Sequence, residues 1–527
     1  MPPVSKIDSN ITGLSYAEEE SLNVLPMTPV WIALEPNSYD NFGGEISTVA
    51  RNPINASRQR RKGVITDLDA SGGFATDVTR RNLQDLLQGF FFANLRRKGE
   101  AQNEIGITTL EFTFTSVDSL VTRSGSPAID LTTQFSVGDL VFIDGANNPE
   151  NRGLFAVSAV TTTTLELSVA DGSGTLATLV DEGPVNTVSI VQVGFEAGSD
   201  DLGMDAGGSR PALTSTLLDF TSLGLIVGEW VFIGGDASGT AFSDSANSGF
   251  ARVRSIAANR LEFDKTQSTI VTEDGTGLTI QLFFGRVLKN ELAGSIVRRS
   301  YQLERTLGKA DTDDPNDQAE YLVGSIPNEF TLNVTTADKL TADLSFVAQD
   351  NEQRDGTLGP KPGTRVSLPE ADAFNTSSDL TRVKMSVIDP ESSNPDPLFA
   401  FATDITISLN NNVSPNKAAG VLGAFDSTAG TFEVGGDITA YFANVAAVQA
   451  VRNNSDITLD MHLVKQNGGI SIDLPLITLG DGRANVEQDQ AITLPLTNEA
   501  ATGSKIDPAL DHTMLMVFWD YLPNLAD

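Results

Sequence analysis

The run from Tyr321 to Asp350, YLVGSIPNEFTLNVTTADKLTADLSFVAQD, admits few folds. Phe330, Leu332 and Val334 alternate with Thr331, Asn333 and Thr335, and after a polar turn over 336–339 the alternation resumes at Leu340, Ala342, Leu344 and Phe346. A period of two sends every second side chain to the same side of an extended chain, so the run predicts a β-hairpin with one apolar face. The other face carries Thr, Asn, Asp and Ser, with no nucleophile beside a base and no set of metal ligands. Strands of this kind offer surface rather than chemistry.

At 527 residues the chain exceeds what one core fills, so about two to four domains are expected. Cysteine is absent, which excludes disulfides, thiol nucleophiles and thiolate metal sites. The start, MPPVSKIDSN, lacks a basic stretch followed by an apolar one, and no segment approaches the roughly 18 apolar residues that span a bilayer. A soluble, unexported chain that folds inside the cell, with no membrane partner, is the expectation.

Charge is the strongest bulk signal, with 35 Lys and Arg against 69 Asp and Glu, a net of -34. A surface this acidic repels nucleic-acid phosphate at long range. Residues 1–100 hold 11 basic and 12 acidic side chains, so nearly all the excess acid lies downstream. The early positive charge clusters in RQRRK (58–62), RR (80–81) and RRK (96–98), a patch that could bind nucleic acid but that the net charge favours reading as solvated surface or as a contact with an acidic copy of the same chain.

No catalytic residue, metal ligand or cofactor site emerges. The two histidines, His462 and His512, sit in apolar runs and read as strand residues. No G-x-S-x-G, H-E-x-x-H or P-loop occurs, and TLGKAD (306–311) lacks the glycine a phosphate loop needs upstream. The acidic run DTDDPNDQAE (311–320) is spoiled as a calcium loop by Pro315 and a missing central glycine. A catalytic carboxylate pair stays open, because any fold of so acidic a chain brings some Asp and Glu together.

Internal repeats say more. FSVGDLVFIDG (135–145) matches LIVGEWVFIGG (225–235), with Val137, Gly138, Val141, Phe142, Ile143 and Gly145 recurring as Val227, Gly228, Val231, Phe232, Ile233 and Gly235. NRGLFAVSAVTTTTLEL (151–167) likewise matches NSGFARVRSIAANRLEF (247–263). Each unit reads as a small β-barrel of about 80 to 90 residues.

A fainter pair flanks the first, setting 62–91 against 419–448, with Gly63, Val64, Asp69 and Gly73 opposite Gly420, Val421, Asp426 and Gly430. Both copies are expected to enter a helix. The first buries Leu83, Leu86, Leu87, Phe90 and Phe91 behind a cap at Asp77 or Thr79, and the second aligns Ile438, Tyr441, Phe442, Val445 and Val448 behind Asp437. The fold class is therefore mainly β: two β-sandwich or barrel modules, each with a flanking α-helix, plus two small inserted β-barrel repeats. The expected division is 1–104 with 286–357, then insertions 105–195 and 196–285, then 358–527.

The runs 51–93, 301–308 and 321–350, with ATDITISLNNNVSP (402–415) and the helix expected after it, resemble the major tail tube proteins of long-tailed, siphovirus-like bacteriophages. The resemblance covers about 1–100 and 290–527 and leaves out the middle repeats. It implies six-domain rings, joined by sheet edges and stacked into the hollow, non-contractile tail tube of the virion, assembled in the host cytoplasm, through which DNA is ejected. Two modules per chain then imply a homo-oligomer of trimeric, pseudo-sixfold rings, with hexameric rings as the alternative. Genomic DNA and a tape measure protein would pass in the lumen without specific binding, while tail terminator and tail tip proteins would meet the ends. In that family a loop between early strands touches the next ring. Residues 50–63 take its place here, with 410–420 as counterpart, so Arg58, Arg60, Arg61, Lys62, Asn411, Asn412 and Lys417 are the expected inter-ring contacts. The insertions, 105–285, are expected to project outward and to be dispensable for closure. Two other readings stay open: another virion component, such as a tail tip, terminator or decoration protein, and a calcium-binding surface adhesin.

Overall fold

The computed structural model describes residues 7, 11–51, 54, 59, 61–102, 110–126, 128–208, 210–309, 316–368 and 371–526. The chain is mainly β, with α-helices at Gln84–Phe91 and Ala446–Arg452. It divides into two compact units, one of Met1–Ala93, Ser295–Phe374 and Asp404–Asp437, the other of Asn94–Gly294, Asn375–Thr403 and Ile438–Asp527.

In the first unit one long strand, Gln318–Thr335, belongs to two sets of pairings. Its first half pairs with Tyr301–Gly308 and Asp350–Arg354, and its second half with Thr341–Ala348 and with 404–410. The change occurs around Gly324, whose φ of +63° favours glycine and where a Cβ would lie 2.3 Å from Asn23 Oδ1. Gly13–Glu18 joins Val30–Leu34 to Tyr301–Gly308, and Gly63–Asp77 joins Thr341–Ala348 to Pro36–Ala50.

The alternation in 330–346 holds as expected: Phe330, Leu332, Val334, Ala342, Leu344 and Phe346 are all buried. Helix Gln84–Phe91 covers this apolar face, setting Phe90 5.3 Å from Phe346 and 6.2 Å from Phe330 between ring centroids. Leu83, Leu86, Leu87, Phe90 and Phe91 are all buried, so this stripe is the one the helical period predicts. The cap is not. Asp77 still belongs to the preceding strand, and Asn82 staples the turn instead, accepting from the Thr79 N–H at 3.1 Å and donating to the Asp77 carbonyl at 2.7 Å.

In the second unit the sequence repeats become structural ones. Asp130 and Asp219 cap matching short turns, and Gly153 and Gly249 share a φ of 124°. Asn151 donates to Glu182 at 2.8 Å and accepts from the Val180 N–H, while Asn247 donates to Glu273 at 2.9 Å and accepts from the Val271 N–H. Burial alone would raise both glutamates, but the hydrogen bonds they accept outweigh it and hold both below the ordinary carboxylate value. Each repeat has its own core, and the pairing of Gly194–Glu196 with Gln281–Phe283 joins their sheets.

The joined sheet is not free on its other face. Leu140, Val191, Trp230, Phe232, Phe250 and Phe283 share one buried cluster with Val464, Leu515, Val517 and Trp519 of the C-terminal strands. Polar contacts run through the same boundary: Arg252 pairs with Asp473 at 3.0 Å, Lys265 pairs with Asp460, and Arg382 reaches Asp460 at 2.6 Å. The insertion supplies one wall of a shared core, so its removal would uncover the apolar side chains of the C-terminal strands.

The C-terminal strands repeat an order of pairing seen in the first unit. Ile457–Lys465 pairs with the first half of Gly468–Asp481, which then pairs with Leu515–Trp519 and, in its second half, with Thr493–Ala501. The register slips between Ile457 and Leu459, as it does between Tyr301 and Leu303. The second helix differs from its expected stripe: Asp437, Ile438 and Tyr441 lie in strand Glu433–Tyr441, and the helix starts only at Ala446. It buries Ala447 and Ala450, while Val448 and Phe442 are half-buried and Val445 and Tyr441 are exposed.

Candidate assembly surfaces

The face opposite Phe330 and Leu344 is the first candidate. Thr331, Asn333, Thr341, Asp343, Ser345, Thr406, Ser408 and Asn410 alternate with the buried set on adjacent strands and carry the polar side of the sheet. Asn333 donates to Asp343 at 2.7 Å and Asn410 to Glu329 at 2.9 Å, so the amides are held flat along the ladder. The strand segments 36–44, 70–77, 326–335, 341–348 and 404–410 contain Asp40, Asp77, Glu329, Asp343 and Asp404 and not one Lys or Arg. Lys339, in the turn between two of these segments, is itself paired with Asp77 at 2.7 Å, so the face as a whole stays acidic and gives a polyanion little to grip.

The second candidate is a hairpin arm. Pro36–Ala50 and Gly63–Asp77 stay paired out to Ala50 and Gly63, whereas the supporting strand Thr341–Ala348 ends opposite Ala70. Beyond that point Ile46, Val49, Val64 and Ile65 are 53%, 59%, 56% and 58% exposed, and Ile54 in the connecting loop is fully exposed. Exposed apolar side chains on both strands of one arm make it a candidate contact surface. Among the expected basic contacts, Arg61 and Lys62 are exposed beside this arm, whereas Arg58 and Arg60 lie outside the described residues.

A smaller hairpin, Ser414–Lys417 with Ala424–Thr428, leans on the arm's base. Lys417 bridges Asp67, at 2.5 Å, and Asp69; its hydrogen bond holds the Asp67 carboxyl below the usual value. Val421, Leu422 and Phe425 at its tip are exposed. Of the two neighbouring asparagines expected at an interface, Asn412 is exposed, with its side chain on the Thr431 carbonyl. Asn411 is instead buried, donating to the carbonyls of Phe90 at 2.9 Å and Pro327 at 3.2 Å. It clamps the helix end to the long strand. Polar alternation points to the strand face, but nothing in the sequence separates these two neighbours, because the difference is made by the turn that follows Asn410.

His462, fully buried, hydrogen-bonds Ser471 at 2.7 Å, and Ser471 accepts from the Trp519 indole. Burial lowers its pKa to about 3, so the imidazole is neutral. Among the described residues no group of three or more His, Asp or Glu side chains is arranged to hold a metal ion, and no helix is long and apolar enough to cross a membrane.

No curated protein matches the chain. A family model described as phage tail tube protein matches residues 9–500, nearly the whole length and across both inserted repeats. With its β-rich architecture, the chain is a structural component of the virion tail and belongs to the phage tail tube protein family.

Proposed function

We propose that the chain polymerises into stacked rings that form a hollow tube, the conduit for DNA leaving the virion. The observation that carries this reading is the polar sheet face, with five acidic residues and no Lys or Arg across five strand segments. Duplex DNA carries one charge per ~1.7 Å, so a lumen lined this way lets it slide where a basic one would hold it. Tape measure protein and DNA pass this wall without specific binding, and terminator and tip proteins meet its ends.

The recurrence of one pairing order, with a register slip at Tyr301/Leu303 and again at Ile457/Leu459, supports two copies of one module per chain. Three chains then make a ring of six modules. The hairpin arm, through Ile46, Val49, Val64 and Ile65, makes the ring-to-ring contact.

Electron microscopy of the purified protein tests the reading, with native mass measurement of the smallest assembled unit. Hollow tubes with three chains in each ring are expected. Six chains per ring would overturn the two-module count, and an inability to form rings or tubes would overturn the conduit.

A further inference from the structure

We infer that Lys384 and Asn394 become joined by an isopeptide bond, formed when the lysine amine displaces ammonia from the asparagine carboxamide. The inference stands independently of the ring reading above.

Lys384, on strand Leu380–Val387, is 8% exposed. A lysine this deeply buried is ordinarily paired with a carboxylate. Among the described residues Lys384 forms no ion pair, and its hydrogen bond goes to the neutral Asn394 Oδ1 at 2.5 Å. A C=O bond is about 1.2 Å long, so Nζ also lies within about 3.7 Å of the carboxamide carbon, close to attacking range.

The surroundings suit the reaction. Burial and the charge of Arg382 push the Lys384 ammonium down to about 8, with Lys265 acting in the same sense and Asp460 and Asp396 opposing. A share of the molecules near neutral pH therefore carries the uncharged, nucleophilic amine. Arg382 lies two residues before Lys384, on the same side of the strand, and its Nη2 is buried with no acceptor among the described residues. That cation stabilises the oxyanion that develops as the amine adds to Cγ. Asp460 stands directly opposite Lys384 in the ladder, where it takes the proton that Nζ sheds and passes it to Nδ2. The Cγ–Nδ2 bond then breaks, ammonia leaves with that proton, and the Nζ–Cγ amide remains. No oxidant or cofactor is needed.

Pro395 closes a competing route. An asparagine can also lose ammonia to the backbone N–H of the next residue, and proline has none. The segment that the bond closes contains Ser393, which holds the second inserted repeat: its carbonyl accepts from the Thr266 N–H at 2.9 Å, and its hydroxyl meets Thr266 Oγ1 at 2.9 Å. The cross-link thus ties the loop that grips the insertion to strand Leu380–Val387.

Mass spectrometry tests the bond. Folded protein held at about pH 8.5, then denatured, should weigh about 17 Da less than its sequence, the mass of one ammonia. Trypsin should leave Lys384 uncut and release 383–417 as one peptide carrying that deficit. The deficit should accumulate more slowly at about pH 6.5, where less of the amine is uncharged. Lys384→Arg and Asn394→Ala should each restore the full mass. Should either variant fail to fold, the peptide map of the parent chain still decides. Full sequence mass with cleavage after Lys384, in protein kept folded for days at the higher pH, would overturn the inference. So would a deficit that maps to any other peptide.

Discussion

The ring of Phe250 lies flat on the imidazole of His462, centroids 4.1 Å apart and planes 8° from parallel. Phe250 belongs to an inserted repeat and His462 to the C-terminal sheet, and Trp230 and Trp519 close around them at 4.6 Å from His462 and 5.8 Å from Phe250. The contact makes a long insertion part of the sheet's core, so several properties of the protein turn on it.

Replacing 105–285 with a Gly/Ser linker should uncover Val464, Leu515, Val517 and Trp519 and strip Asp473 and Asp460 of Arg252 and Lys265. The expected product binds a hydrophobic dye strongly and loses cooperative melting. A deletion variant that melts sharply and still forms tubes would show the shared cluster to be dispensable.

Arg252→Met should destabilise the second unit by about 3–5 kcal/mol, because Asp473 is left buried without its partner. Adding Asp473→Leu should recover most of that loss. Equal melting of the single and double variants would mean that the pair is not coupled.

His462 titrates at about 3 in the fold, against 6.5 when unfolded. Its folded value is depressed, so its stabilisation is complete above pH 6.5 and falls away as pH drops towards 3. The loss from this group alone is about 2 kcal/mol by pH 5. Asp460, at 3.8 Å, and the cations Lys265 and Arg382 share the site. Stability curves for His462→Gln should be flatter than the parent's between pH 6.5 and 4.5; parallel curves would assign the acid sensitivity to other groups.

Val49→Asp with Ile65→Asp should shorten tubes at every salt concentration while leaving the melting of the separated chain nearly unchanged, since both side chains are exposed. Reversing the charge of Arg58, Arg60, Arg61 and Lys62 should shorten them at low salt only, because exposed pairs are screened beyond about 8 Å at physiological ionic strength. Normal tube length on micrographs for the apolar variant would remove the arm from the stack.

Asn411→Ala should cost about 1–3 kcal/mol in stability, leaving the Phe90 and Pro327 carbonyls without their donor. Asn412→Ala, one residue on, should cost well under that. Similar melting of the two variants would contradict the buried clamp.

Local pattern determined more of this protein than its long-range contacts would suggest. Phe330 to Phe346 became one face of a hairpin, and Leu83 to Phe91 one face of a helix, because period-2 and period-3.6 spacing act between near neighbours. The matched blocks around Val141 and Val231 folded alike for the same reason: equal strings face equal local choices. Glu182 and Glu273, each of which ties down a loop within its own repeat, lie outside the matched blocks and could be found only once Asn151 and Asn247 were seen to reach them. Tertiary structure alone decided what each finished surface meets. The stripe from Ile438 to Val448 has helical spacing, but Ile438 and Tyr441 were drawn into a strand and the helix was left to bury two alanines. Nothing in the spelling of Phe250 or His462 says that they stack, since they are more than two hundred residues apart and only the folded sheets bring them together. Periodicity specifies which side of an element is apolar, whereas the partner for that side is selected by every other apolar face in the chain at once.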